Sequence, residues 1–413
     1  MIARVGEGKE FALNHPRMSL RLALPALAAL LVLLLIPAAA AGKQARVAGA
    51  APPGKGKVVD VMTRNLYLGA DLTPAILAPD LGAFVAANGE ILREVTANDF
   101  PTRAQGMAAE ILAKKPDLVG LQEVALWRTG PPSLAPVLTT QGPTATTVRY
   151  DYLQLLLDEL NRGNGRDGHG KPQYRVAVSQ NEFDLEAPAD ENGVPGDGPG
   201  GPLANAEVNG RLTMRDVILV RAGAGVTTKN ERGGNFANLL TVKVAGVPVT
   251  IKRGWAAVDA KVRGSHPFRF VDTHLEAFDP AALVPSIRAR QAAELVAAGG
   301  PATSDLPVVL VGDLNSDDDT VAPGDRQAYE TLLAAGMVEL STGDPLSCCL
   351  NSSLLAVGAG GSVADFDHQV DHVMTRDPGV VSLISSAVTG LEPVNGFWDS
   401  DHAGVFSSLR FLR

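Results

Sequence analysis

The chain has 413 residues, 46% hydrophobic and 20% charged, an ordinary globular balance long enough for one large domain or two smaller ones. Its formal net charge is -9, and the first 42 residues carry more basic than acidic groups, so the remainder is more acidic still. An acidic body excludes tight, non-specific binding of nucleic acid by a broad basic surface; a local basic groove or a metal site stays open.

The N-terminus does not read as part of the fold. Leu22 to Ala41 is apolar, follows Arg17 and Arg21, and ends in small residues, so residues 1–42 have the pattern of a signal peptide. Met18 is an alternative start. The run also approaches the roughly 20 residues of a membrane span, so an uncleaved anchor is the alternative to cleavage. Either way the body is expected to be secreted or extracytoplasmic. Residues 43–57 are rich in Gly, Ala and Pro and read as a flexible linker. One domain is expected over residues 58–413.

"VVDVMTRNLYLG" (Val58 to Gly69) reads as a strand with a polar end. Ala104 to Lys115 reads as a helix stopped by Pro116, and "DLVGLQEV" (Asp117 to Val124) as a buried strand ending at Gln122 and Glu123. Asp151 to Asn161 has apolar residues at helical spacing, and "QYRVAVSQ" follows as a strand. Asp184 to Gly210, crowded with Gly, Pro, Asp and Asn, reads as a long surface loop. Strands resume in "RDVILVRAG", "LLTVKVAGVPVTIKRGW" and "FRFVDTHLEAF", and "PSIRARQAAELVAAG" reads as a helix. "LPVVLVGDLNSD" (Leu306 to Asp317) is an apolar strand that breaks off at Gly312, Asp313, Leu314 and Asn315. Strand alternation would put Asp313 and Asn315 on one face. A helix near Gln327 to Ala335, a loop with Cys348 and Cys349, "DHQVDHVMT" and "WDSDHAGVFSSLRF" complete the chain. Two adjacent cysteines cannot staple distant segments; they bridge locally, stay reduced or pair with another chain. No zinc pattern is present. The alternation of helices with hairpin-like strand pairs predicts a layered α/β domain with mixed sheets.

Polar residues recur at the ends of these apolar strands: Asn65, Glu123, His274, Asp313 with Asn315, Asp371 with His372, and Asp401 with His402. One such ending is a turn former, a cap or a structural histidine. Six together suggest side chains converging on one rim of a rigid sheet. Carboxylates and an amide without a cysteine cluster suit a hard cation: Mg²⁺, with Mn²⁺ or Ca²⁺ as alternatives. Histidines beside carboxylates suit proton transfer and charge stabilisation. A divalent ion, a His–Asp pair and an acceptor for a water proton are what phosphodiester hydrolysis needs. No GxSxG elbow, Walker lysine or GxGxxG is present, so serine hydrolase, P-loop and dinucleotide readings lack support.

The ordered set "TRNL", "LQEV", "DTHLEA", "VGDLNS", "QVDHV" and "SDHAGV" resembles the endonuclease/exonuclease/phosphatase superfamily over about Val58 to Arg413. That group includes DNase I-like nucleases, abasic-site endonucleases, inositol polyphosphate 5-phosphatases and bacterial sphingomyelinases. The resemblance implies a DNase I-like α/β sandwich of two mixed β-sheets flanked by helices. It implies Glu123 as the principal metal ligand, with Asn65 beside metal and scissile phosphate and Asp401 near the metal. His274 would contact the phosphate, Asp313 would orient or deprotonate the attacking water, and Asn315 would hold a phosphate oxygen. His402 would be the catalytic histidine, oriented by Asp371. Gln369 and Val370 stand where the family often has Arg-Ile, which puts the usual arginine contact in doubt.

Other residues invite weaker readings. Arg215 and Asp216 read as a structural ion pair, His372 as packing, His368 as surface, and Trp255 and Trp398 as core. Asp317 to Asp319 read as a solvated acidic turn, with a second ion as the alternative. The expected activity is an exported, divalent-metal-dependent phosphodiesterase, first on nucleic acid. A sphingomyelinase or phospholipase C type is the alternative, and a non-catalytic binding module the third. The substrate, nucleic acid or phospholipid, is the expected partner; no protein partner is evident and a monomer is expected.

Overall fold

The computed structural model describes residues 56–138, 141–162, 171–278, 283–317, 323–342, 346–358 and 361–412. They belong to one compact unit, Gln44–Arg413. The expected signal peptide lies outside the described residues, as do Asp318 and Asp319. Gly56 and Lys57, expected in the linker, already belong to the first strand.

Eight strands form one sheet: β1 (Gly56–Asn65), β2 (Leu118–Gln122), β3 (Leu126–Gly130), β4 (Thr147–Asp151), β5 (Tyr174–Ala189), β6 (Val208–Arg221), β15 (Val381–Thr389) and β16 (Gly404–Leu412). Their order is β15-β16-β1-β2-β6-β3-β4, with β5 also on β6. A six-stranded sheet runs β13-β14-β12-β11-β10-β7. Its members are β7 (Thr227–Asn235), β10 (Gly254–Lys261), β11 (Phe268–His274), β12 (Val308–Asp313), β13 (Val338–Glu339) and β14 (Asp371–Thr375). Strands β8 (Leu240–Val244) and β9 (Val247–Ile251) form a separate hairpin. Both large sheets are mixed: β1–β2 and β11–β12 are parallel, whereas β1–β16 and β12–β14 are antiparallel.

Every residue of β2, β11 and β12 is buried, which explains their continuous apolar runs. Val59, Val61, Ile218, Val258, Val311 and Val373 fill the space between the sheets. On the outer face of the larger sheet, Val119, Leu121 and Leu219 pack against α2 (Leu81–Ala97), α3 (Phe100–Lys114) and α5 (Tyr152–Leu160). On the other side, Val271 and Leu310 meet α6 (Ile287–Val296) and α7 (Pro323–Ala334). Two short helices, α1 (Thr73–Ile76) and α4 (Ala135–Leu138), complete the set. The result is the helix–sheet–sheet–helix sandwich that the sequence pattern and the resemblance imply.

Several elements differ from expectation, among them β3, β4 and β15, which the sequence reading does not name. Strands β5 and β6 extend into the Gly/Pro-rich segment, leaving residues 190–207 between them. Helix α2 was not anticipated because Ala and Gly dilute its apolar face. Strand β7 was not anticipated because it is polar and almost wholly exposed, as a protected edge can be.

The rim is set by register. Asn65 pairs with Gln122, His274 with Asp313, and Asp313 with Asp371. Asp371 begins β14, and Asp401 and His402 precede β16, so these are strand starts and not strand endings. Antiparallel strands start at the rim where their neighbours finish, so the side chains still converge. Gly312 makes the approach possible: its φ is 148°, and a Cβ there would lie 2.0 Å from the Thr273 carbonyl oxygen.

Candidate active site

Asp313 is the hub. Its Oδ2 accepts from Asn65 Nδ2 at 3.0 Å and lies 3.3 Å from His274 Nε2 and 3.7 Å from His402 Nε2. Its Oδ1 accepts from the Asn315 backbone N–H at 2.8 Å, forming an Asx turn. Asn315 lies beyond the end of β12 with φ 48°, so strand alternation does not place it. The left-handed turn does, bringing Nδ2 to 3.1 Å from His274 Nε2 and from the Leu275 carbonyl.

His402 Nδ1 lies 2.8 Å from Asp371 Oδ2, which also accepts from Ser347 Oγ at 2.7 Å. Burial alone would lower the His402 pKa, but Asp371, Asp313 and Asp401 together hold it well above the usual histidine value. His402 is therefore an imidazolium near neutrality. Desolvation, with Asp371 adding to it, raises the Asp313 carboxyl above its usual range, against the pull of His402.

His274 is the opposite case. Burial, with Arg253 and His402, holds its pKa well below the usual value, so the ring is neutral. Arg253 Nη1 donates to His274 Nδ1 at 2.9 Å, which leaves Nε2 as the N–H directed at Asp313. Arg253 is buried and was not anticipated. An arginine ending "TIKR" just before a strand reads as an ordinary surface residue.

At the other side of Asn65, its Oδ1 accepts from Tyr67 N–H at 2.8 Å, and Glu123 Oε2 accepts from Leu68 N–H at 2.7 Å. Tyr67 and Glu123 have φ 55° and 54°, uncommon for residues other than glycine. Such strain concentrates where a side chain must leave the sheet direction to reach a site. Arg103 holds this region, donating to the carbonyls of Leu66, Tyr67, Asn98 and Asp399 at 2.8–3.2 Å.

Cys348 and Cys349 are paired with each other, and their sulfurs lie 3.7 and 3.9 Å from His402 Nε2. Arg215 pairs with Asp151 at 2.6 Å, not with its neighbour. Asp216 is buried near Arg253, and desolvation raises its carboxyl well above the usual range. His372 faces away from the rim, toward Glu339 at 2.8 Å and the Ser316 carbonyl at 3.0 Å. His368 is exposed on Asp367. The Asp317 carboxylate accepts from Gln369 N–H at 3.2 Å. Trp398 packs edge-on against Phe366, and Trp255 lies beside Arg232.

The model of the Endonuclease/Exonuclease/phosphatase family matches residues 87–402, from α2 to His402. The chain belongs to this family. Solved structures are similar to the chain over most of its length. An endonuclease/exonuclease/phosphatase from Beutenbergia cavernae is 18% identical with a TM-score of 0.48, covering 86% of this chain and 72% of that one. The mannosyl-6-phosphatase of Bacteroides thetaiotaomicron is 14% identical with a TM-score of 0.46, covering 86% and 100%. The D. rerio protein TDP2, complexed with a single-strand DNA product, is 14% identical with a TM-score of 0.43, covering 86% and 99%. A comparison with curated proteins returns no match.

Members of the endonuclease/exonuclease/phosphatase family are phosphoester hydrolases, generally with a divalent metal. The donor set here fits such an ion. Desolvation first, then the negative charge of Glu123, raises the Asp401 carboxyl to about 6, and the Glu123 carboxyl is raised in turn. Burial and the charge of Asp313 raise Glu123, and Glu123 in turn raises Asp401, so a hard cation held by these oxygens would relieve the charge between them. Asp313, Asp371 and His402 also lie within 4.8 Å of one another. The 2.8 Å contact between His402 and Asp371 makes them a charge pair.

Proposed function

We propose that the protein is an exported, divalent-metal-dependent phosphodiesterase that hydrolyses its substrate by direct attack of water. The observation that carries this is the placement of Asp313 Oδ2 among Asn65, His274 and His402 at 3.0, 3.3 and 3.7 Å. Asn65, Glu123 and Asp401 would hold the metal, which would supply a Lewis acid for a phosphoryl oxygen. Asp313 takes the proton of the attacking water; its raised pKa brings it closer to the operating pH of a general base. The neutral His274 and the amide of Asn315 donate to phosphoryl oxygens, with Arg253 fixing the tautomer of His274. The His402 imidazolium, oriented by Asp371, faces the charge that builds on phosphorus. Export rests on the signal-like residues 1–42.

A diester suits this site better than a monoester. Among the described residues lining it, Arg253 supplies the guanidinium, and no lysine joins it to neutralise a dianion. The test compares bis-p-nitrophenyl phosphate with p-nitrophenyl phosphate under Mg²⁺. Higher kcat/KM on the diester is expected, and faster turnover of the monoester would refute the preference.

A further inference from the structure

The cavity that contains the catalytic rim extends well beyond it, to about 520 Å³. That lies within the range of about 300–1,000 Å³ that encloses a small organic ligand. One end is the rim itself. The rest is mostly hydrocarbon, with Asp71, Asn88 and Ser352 as polar exceptions: Ile76 of α1, Ile91 of α2, Phe183 and Leu212 of β5 and β6, and Val242 and Val249 of the β8–β9 hairpin.

The hairpin is part of this wall. It belongs to neither large sheet. Its residues alternate: Thr241, Lys243, Pro248 and Thr250 are exposed, while Val244 and Ile251 are buried. The turn between its strands holds Ala245 at φ 47° and Gly246 at φ 84°, the left-handed pair that a tight two-residue hairpin needs. An apolar face is thus turned inward over a cavity and a polar face outward to solvent. A nucleotide would be poorly served there: its sugar and phosphates lose water without gaining partners from an apolar wall. A hydrocarbon chain gains the full transfer free energy and the dispersion contacts of the lining.

We propose that the substrate is a lipid phosphodiester whose hydrocarbon chain lies in this cavity while its phosphate sits at Asp313. This rests on the phosphodiesterase reading and narrows it. Water oxygen bonds to phosphorus, the phosphorus–ester oxygen bond breaks, and the products are a phosphomonoester and an alcohol. The polar rim fixes the phosphate; the apolar wall selects the chain. The inference favours the lipid alternative over the nucleic acid that the sequence placed first.

The test uses a series of alkyl p-nitrophenyl phosphates from methyl to dodecyl, held below their micelle concentrations, with Mg²⁺. The kcat/KM is expected to climb by up to about fourfold per methylene, the transfer value of a buried CH₂, until the cavity is full. Val249→Trp, which narrows the wall, should lower the dodecyl-to-methyl ratio at least about tenfold. Binding is measured separately by calorimetry with butyl- and dodecylphosphocholine on the unaltered protein. Tighter binding of the longer chain with a negative heat-capacity change is expected. A flat chain-length series, with plasmid DNA cleaved faster than any alkyl diester, would overturn the lipid assignment and leave the phosphodiesterase intact. Chain-dependent binding without hydrolysis of any diester would instead remove the phosphodiesterase and keep the chain site. Equal binding of butyl and dodecyl compounds would overturn the chain site outright.

Discussion

At Asp313, one carboxylate oxygen holds a turn and the other faces three nitrogen groups. Asp313→Asn keeps the oxygen that accepts from Asn315 and removes the proton acceptor. It and His402→Ala should each cost roughly 3–5 kcal/mol of transition-state stabilisation. Their double mutant should fall well short of the sum, since both serve one step. Melting temperature and turnover measured on the same samples separate this from a capping role, in which stability falls and turnover of the folded fraction survives. The pH profile reports on the other partner. Because negative charge at Asp371 raises His402, Asp371→Asn should lower the His402 pKa and move the alkaline limb of kcat/KM to lower pH. An alkaline limb that stays in place would detach Asp371 from His402.

Among the elements, the strands that carry the rim were legible because they are buried on both faces and read as unbroken apolar runs. Helix α2 and strand β7 were not, one diluted by small residues and the other a polar edge. At the site, the residue types of Asn65, Glu123 and His274 were legible in the strand ends. Their geometry was not, because it depends on left-handed turns at Tyr67, Glu123 and Asn315 that no periodicity announces. Arg253 escaped for a related reason: only the register of β10 against β11, which sets Gly254 opposite His274, brings it to the ring. Helix α3 has a positioning role through Arg103, which ties the loop after β1 to the loop before β16. Arg103→Met leaves four carbonyls without this donor and should lower unfolding free energy by at least about 3 kcal/mol. Mg²⁺ affinity should fall with it, because the first loop begins beside Asn65 and the second carries Asp401, two of the proposed ligands. Urea denaturation and a metal titration check the pair of effects; an unchanged urea midpoint would contradict the tie.

For the whole molecule, the two sheets bring parallel strand ends and antiparallel strand starts to one rim, and on the proposed reading the carboxylates there would couple folding to a cation. Asp401 shows the sign. Its carboxyl lies at about 6 in the fold against an ordinary value of 3.8. Between these values the folded chain holds a proton that the unfolded chain has lost, so stability falls as pH rises through this window. A cation that replaces that proton restores what was lost. Mg²⁺ should therefore raise the melting temperature more at pH 7.5 than at pH 5, and an equal rise at both would contradict the linkage. The most direct test of the central claim is the hydrolysis of bis-p-nitrophenyl phosphate by the purified protein before and after EDTA. The account predicts that turnover disappears with the chelator and returns with Mg²⁺ or Mn²⁺, and full turnover by the metal-free protein would contradict it.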